Sequence, residues 1–549
     1  MIKYKNNIKF RNKILLGNAI DVLKQIPPKS IDTVVTSPPY WGLREYSESH
    51  NFKTEDIADK YLTETTKKYN KLFDGKNVYP IFSKSYNSND KKWSIKCLFL
   101  NIWDGDPDCE HEFDIRKTII KSTYNKDFNE RYGGGAGQRK QEKSQQLSFK
   151  DGFCKKCGAW MGSLGLEQDF NQYIKDLCNV FDEVKRVLKD SGSVFVNLGD
   201  TYGSHTDWRW SDWAAKGKHS TVRNSTKGYK KCLLGIPERF MLEMIDNRGW
   251  TLRSKIVWVK TNSMPSSVKD NFAPNFEYIY FFVKNKKNLW YINKKSNRIQ
   301  YKKPLGIRGI EGIDWDWKTP TVNLVQECKT TKIPIDLSEH VSSPRARKHR
   351  KPIRKKVSYW SGTHYYFEKQ YEPLLDSSIR GRGMRCVWTI PTQPFKGAHF
   401  ATFPEKLIET PIRASCPQYI CSKCGLPREK IYKKGNLVPD NPKYKPRGKY
   451  HHKLVNPGMT ANGYDKPTPN FYYEKKQISY SNCGCNAKFV PGIVLDPFMG
   501  SGTTALVAKK MGRDFCGIEL IPQYIEIAFN RLGMYKNIRR IETYFDRKK

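Results

Sequence analysis

The chain has 549 residues, 38% hydrophobic content, a formal net charge of +42 and a pI near 9.6. It is long enough for a catalytic core with appended modules, and its positive excess attracts polyanions such as nucleic acid, although a lysine-rich genome would produce part of that excess by itself. A polar start and the lack of any apolar stretch of ~18–20 residues argue against export or membrane insertion and predict a cytosolic protein, where 14 cysteines suggest metal ligands over disulfides.

In chain order, residues 8–46 read as a strand over 13–16, a helix over 19–25 and a strand over 31–36 that runs into Thr36-Ser37-Pro38-Pro39-Tyr40. Periodicity is then lost, and 47–165 reads as an insertion with a flexible Gly133–Gly137 segment. Within 166–284, Phe170, Ile174, Leu177, Phe181, Val184 and Leu188 line one helix face. A Lys-Asp-Ser-Gly turn over 189–192 and a strand over 193–198 follow. A second helix over 237–247 precedes strands over 252–259 and 278–283, which suit a terminal hairpin. Residues 285 to about 360 are basic and irregular, culminating in Arg345, Arg347, Lys348, Arg350, Lys351, Arg354, Lys355 and Lys356, with Trp360, Tyr365 and Tyr366 at and beyond its end. Such a run tracks phosphates or is simply a solvated loop. The core resumes over 386–424, pauses for a Pro-, Lys- and Tyr-rich insertion over 425–485, and closes over 486–535 with strand, glycine loop, helix, strand and helix.

The string Asp496-Pro497-Phe498-Met499-Gly500-Ser501-Gly502-Thr503-Thr504 follows a predicted strand and opens a helix. Gly500 and Gly502 let the backbone approach a ligand closely, and the first N–H groups of the helix are unpaired, so the loop suits a nucleotide-like molecule. Glu519 ends the next strand, where an acidic side chain can accept hydrogen bonds from ribose hydroxyls. The loop is neither a phosphate loop nor a Gly-x-Gly-x-x-Gly fingerprint, and its plain alternative is a tight strand-to-helix connection.

With Glu519, this string resembles the S-adenosylmethionine-binding motif of DNA amino-methyltransferases. His399-Phe400-Ala401-Thr402-Phe403 and the residues to Ile408 resemble the segment that precedes the motif in that family and helps enclose the methionine end of the cofactor. The resemblance extends over 36–46, through Asn197-Leu198-Gly199-Asp200, and from Trp258-Val259-Lys260-Thr261-Asn262 to Glu277-Tyr278, roughly half the chain. It implies an α/β, Rossmann-like methyltransferase sheet with helices on both faces and a circularly permuted motif order, the β permutation, with the catalytic motif first. It also implies cofactor contacts from Thr36, His399, Phe400, Thr402, Phe403, Asp496, Phe498, Gly500, Ser501, Gly502, Thr503, Thr504 and Glu519. Where the family often has Gly-Asp after an early strand, this chain has Gly17-Asn18.

An exocyclic amine of a base is a poor nucleophile because its lone pair is delocalised into the ring. In Ser37-Pro38-Pro39-Tyr40 the prolines restrict the backbone and remove competing donors, the Ser37 hydroxyl and Pro38 carbonyl can accept the amine's protons, and Tyr40 can stack on a flipped base. The plain alternative is a Pro-Pro turn. No Pro-Cys dipeptide is present, which disfavours C5-cytosine chemistry. In the resembled family, Ser at the first position usually accompanies N4-methylcytosine and Asp N6-methyladenine, so Ser37 points to cytosine, with adenine as runner-up.

Cys109, His111, Cys154 and Cys157 have zinc-knuckle spacing at the two sides of the first insertion, and Cys421, Cys424, Cys483 and Cys485 bracket the second. Both sets suit closed structural zinc sites that pin insertions too poor in apolar residues to fold alone. The expectation is a site-specific enzyme that methylates the N4 amine of cytosine in double-stranded DNA by base flipping and direct in-line transfer. Target recognition would fall within 285–385, and a cognate restriction endonuclease is a partner such a bacterial or phage enzyme can have. The rival of another class is a non-catalytic zinc-containing DNA-binding protein on the same fold; RNA or protein-glutamine methylation is disfavoured by Ser in place of Asn.

Overall fold

A computed structural model describes residues 10–42, 47–74, 77–87, 91–106, 108–121, 145–167, 169–203, 229, 231–263, 272–285, 290–293, 298–301, 365–367, 371–372, 382–393, 403–428, 430–439 and 471–534. The chain forms two compact units. The larger comprises Asn7–Asn285, Thr389–Ile412 and Ile493–Lys549, and the smaller comprises Met1–Asn6, Lys286–Trp388 and Arg413–Gly492.

The larger unit is built on a mixed sheet. Its strands include β1 (Lys13–Leu16), β2 (Ile31–Thr36), β3 (Leu188–Leu198), β4 (Thr251–Val259), β5 (Phe276–Val283), β6 (Ile493–Asp496) and β7 (Asp514–Glu519), in the spatial order β1-β7-β6-β2-β3-β5-β4. The five from β1 to β3 run parallel, and β4 with β5 adds the antiparallel hairpin expected from the sequence. Parallel strands buried on both faces read as near-continuous apolar runs, and here successive residues serve opposite faces. Val34, Val194, Val196, Leu495 and Cys516 join a cluster with residues of α1 (Ala19–Gln25), α2 (Phe170–Val187) and α3 (Ile236–Asp246). Phe195 instead stacks on Phe281 with ring centroids 4.5 Å apart. The helices α4 (Thr503–Lys510) and α5 (Pro522–Leu532) pack against β1, β6 and β7.

The expected turn over 189–192 is instead the first part of β3, which starts at Leu188. Two of its polar side chains, Lys189 and Asp190, are paired in the extended conformation. Lys189 Nζ lies 2.6 Å from Asp32 Oδ1, both side chains being buried, and Asp190 Oδ2 accepts from Lys29 at 2.7 Å. Asp32 Oδ2 also accepts from the Ile493 amide at 2.9 Å, so one carboxylate joins β2, β3 and β6. Replacing Asp32 with Ala strands a buried ammonium and an amide, and the urea midpoint is expected to report a loss of about 3–5 kcal/mol.

The insertion over 47–165, in which the sequence shows no periodicity, folds as a helix (Glu55–Leu72) with a six-stranded antiparallel sheet. Tyr69, Phe73 and Phe99 form a buried aromatic group, with centroids 5.5 Å apart for Tyr69–Phe99 and Phe73–Phe99. The expectation that this insertion lacks the apolar material for a core is thereby corrected: a few large rings substitute for many aliphatic residues.

In the smaller unit, Lys430–Pro439 pairs antiparallel with Phe471–Tyr480, and Ile420–Cys421 with Phe489–Val490. The basic run 345–356, Trp360 and most of 285–385 lie outside the described residues. Tyr365 and Tyr366 are buried, placed for packing and not for stacking on a ligand. Among the described residues, no helix is long and apolar enough to cross a membrane.

Candidate active site

The carboxyl ends of the parallel strands share one edge, and the spatial order turns back between β2 and β6, the switch point at which open α/β sheets form a crevice. The Ser-Pro-Pro-Tyr loop leaves β2 there and the glycine loop leaves β6. One cavity takes its lining from both: Ser37 and Pro39 from the first, and Pro497, Phe498, Met499, Gly500, Ser501 and Thr503 from the second. Phe403, Glu519 and Tyr524 complete that side.

Asp496, at the end of β6, is buried. Its Oδ1 accepts from the Thr36 hydroxyl at 2.6 Å and the Phe498 amide at 3.1 Å, and its Oδ2 accepts from the Thr504 hydroxyl at 2.7 Å. Burial pushes its carboxyl up to about 6, against the pull of these hydrogen bonds. Thr36, Asp496 and Thr504 thus clamp the two loops together from beneath; they and Gly502 are not among the lining residues. Gly502 has φ 80°, and a β-carbon there would sit 2.7 Å from that of Ala528. Gly500, with φ 52°, has open space where its β-carbon would be. Arg531 Nη1 lies 2.9 Å from Ser501 Oγ and 2.8 Å from Thr503 Oγ1, bracing the loop from α5.

Glu519 Oε2 accepts from the Gly500 amide at 2.7 Å, and Oε1 from the Leu520 and Ile521 amides at 2.9 Å. Burial raises it to about 7, the three N–H donors opposing. Oε2, with one donor, keeps acceptor capacity for a ligand. Gly17, Asn18 and Ala19, which the sequence reading left out of the site, also line the cavity. Asn18 caps α1, its Oδ1 accepting from the Ile20 amide at 2.8 Å, a role Asp fills equally well.

On the other side, Pro38 is buried and Ser37, Pro39 and Tyr40 are half-buried. The Ser37 hydroxyl lies 3.3 Å from the Tyr40 oxygen, and the Tyr40 hydroxyl donates to Glu277 Oε2 at 2.9 Å. Asn197 Nδ2 donates to the same oxygen at 3.0 Å, and Lys260 pairs with Glu277 Oε1. The Pro39 carbonyl accepts from the Tyr173 hydroxyl of α2 at 2.7 Å, which fixes the loop. Asn197, Lys260 and Glu277 lie in segments the family resemblance covers, yet nothing local in the sequence marks them as partners of Tyr40. Of the segment before the helix Glu405–Ser415, Phe403 lines the cavity, and His399, Phe400 and Thr402 lie outside the described residues.

Among the described residues, two groups of side chains could hold a metal ion: Cys109, His111, Cys154 and Cys157, and Cys421, Cys424, Cys483 and Cys485, each with its donor atoms within 4.8 Å of one another. A tetrahedral site with bonds of ~2.3 Å needs donors about 3.8 Å apart. Cys109 Sγ and Cys154 Sγ are 3.9 Å apart, and Cys157 Sγ is 3.3 Å from His111 Nδ1. Soft donors at these separations fit zinc.

Fold and site together define an α/β protein with one cavity lined by a glycine loop and a second, polar loop. The chain belongs to the N6/N4 DNA methylase family of DNA amino-methyltransferases, whose model, described as DNA methylase, matches residues 31–419 and 485–530. It is 28% identical over 382 residues to the Type II methyltransferase M.XycI of Xanthomonas campestris pv. cyanopsidis, covering 69% of this chain and 77% of that protein. M.SmaI of Serratia marcescens is 26% identical over 375 residues, covering 68% and 77%, and M.Cfr9I of Citrobacter freundii is 28% identical over 384, covering 69% and 77%.

Proposed function

We propose that the protein is a site-specific DNA methyltransferase that uses S-adenosylmethionine to methylate the exocyclic N4 amine of cytosine in double-stranded DNA after base flipping. The observation that carries the reading is that Ser37 and Pro39 line the same cavity as Gly500, Ser501 and Glu519. Bound S-adenosylmethionine supplies an electrophilic methyl group on a sulfonium. Gly500 gives it close backbone approach, Glu519 accepts from its ribose hydroxyls, and Phe403, Phe498 and Tyr524 enclose its apolar parts.

The Ser37 hydroxyl proton points toward Tyr40, whose own proton goes to Glu277. The Ser37 lone pairs are therefore left to accept from the amine; Pro38 is buried and, like Tyr40, is not among the residues that line the cavity. Withdrawing the amine's protons toward the Ser37 oxygen returns density to nitrogen for in-line attack, so that positioning and electrostatics supply the catalysis. Serine at this position supports cytosine; adenine N6 offers the same geometry and is the other outcome of the test. The named relatives are Type II methyltransferases, and we place this chain in the same kind of role, as the modification partner of a restriction endonuclease. Both cysteine clusters are read as structural zinc sites.

The reading is tested by transfer of label from methyl-tritiated S-adenosylmethionine to duplex DNA, with RNA and protein as competitors; cofactor binding without transfer to DNA would favour a non-catalytic binding protein. A further expectation concerns pH. Because the ionised Glu519 is the stronger acceptor, affinity for S-adenosylhomocysteine should rise with pH through about 7 and then level off. Titration calorimetry on Glu519→Gln should show weaker binding with that rise removed.

A further inference from the structure

Four residues lining the cavity, Asn101, Trp103, Ser163 and Leu164, come from the insertion and not from the sheet that carries the two loops. Asn101 and Trp103 end the strand Lys92–Trp103, and Ser163 and Leu164 follow the strand Trp160–Gly162. These strands pair antiparallel, with Asn101 opposite Gly162 and Trp103 opposite Trp160. The Trp103 indole N–H donates to the Gly162 carbonyl at 3.0 Å, and the Ser163 hydroxyl donates to the Phe99 carbonyl at 2.6 Å. The wall is thus a short ladder within the insertion's six-stranded sheet, its Trp160–Gly162 strand also pairing with Gln145–Cys154.

At the Trp103–Trp160 end both strands lead into the first cysteine and histidine cluster. Beyond Trp103 the chain reaches Cys109 and His111, and the His111 ring packs on Gly105, where a β-carbon would lie 3.0 Å from Nε2. On the other strand, Cys154 and Cys157 precede Trp160, and the Cys154 amide donates to the Ala159 carbonyl at 2.7 Å. The Lys155 amide donates to the Glu112 carbonyl at 2.9 Å, bringing the two turns together at the donor atoms.

We propose that a zinc ion held by Cys109, His111, Cys154 and Cys157 closes these turns and so fixes the Trp103 and Ser163 wall of the cavity, which sets cofactor affinity. The affinity part rests on the reading that the cavity takes S-adenosylmethionine. A metal joining segments distant in sequence offsets the entropy of closing the loop between them, and the wall is the structure that closure orders.

The test uses the full chain and compares Cys157→Ser with Cys424→Ser, a ligand of the second cluster whose neighbours in sequence supply no lining residue, and with His111→Cys, which keeps four soft donors. Zinc content, hydrogen exchange and calorimetric binding of S-adenosylhomocysteine are measured on each. Cys157→Ser is expected to lose one zinc, to speed exchange over 98–105 and 160–164 while β3 stays protected, and to weaken binding roughly tenfold. Cys424→Ser should lose one zinc without either change, and His111→Cys should keep zinc, protection and affinity. Zinc loss in Cys157→Ser with wall protection unaltered would overturn the proposal, as would a wall loosened in His111→Cys despite full zinc. A wild-type protein that fails to bind S-adenosylhomocysteine would contradict the cofactor reading, and the exchange data would still decide the wall.

Discussion

Ser37→Ala is expected to lower the rate of methyl transfer by ~10²–10³, the usual effect of deleting one preorganised polar group at the reacting atoms. Ser37 lines the cavity and its hydroxyl lies 3.3 Å from the Tyr40 oxygen, so in the proposed reaction its acceptor capacity serves the amine. Affinity for S-adenosylhomocysteine should stay within about twofold, because the glycine loop and Glu519 are untouched. Single-turnover rates with saturating cofactor separate the two effects. Tyr40→Phe provides a graded companion: it keeps the stacking ring but breaks the link to Glu277, and its rate should fall between those of wild type and Ser37→Ala. Equal losses in rate and cofactor affinity for Ser37→Ala would mean that the loop had collapsed.

Asp496→Ala should cost stability as well as activity. Its carboxylate satisfies two threonine hydroxyls and an amide in the interior, and leaving such groups without their charged partner costs about 3–5 kcal/mol. The same site predicts a pH dependence. Burial holds the folded pKa up at about 6, above the value near 4 of an unfolded chain, so the folded protein binds this proton more tightly than the unfolded one. The stability contributed by the group is full below about pH 4 and is lost as pH rises through about 6. Urea midpoints across that range should fall more steeply for wild type than for Asp496→Asn; parallel curves would contradict the assignment.

The parts of the fold that local pattern controls were legible in the sequence. The β-branched run from Ile31 to Thr36 and the apolar face from Phe170 place β2 and α2 where they occur. Legibility ended where tertiary partners decide. The extended backbone at Lys189 depends on Asp32, the insertion's core on rings brought together from Tyr69, Phe73 and Phe99, and the orientation of Tyr40 on Glu277. The two motif loops announce themselves because backbone chemistry, Pro-Pro in one and closely spaced glycines in the other, sets their shape. The wall from Asn101, Trp103, Ser163 and Leu164 carries no such mark: these are ordinary residues that acquire a role only through strand pairing.

Nucleoside mass spectrometry on DNA from methylation-deficient cells expressing the wild-type protein or a Ser37→Ala, Tyr40→Ala double variant tests the proposed reaction. N4-methylcytosine is expected in the wild-type sample alone. N6-methyladenine in its place would keep the mechanism and contradict the base assignment, and no modified base from a protein that binds cofactor would contradict the catalytic reading itself.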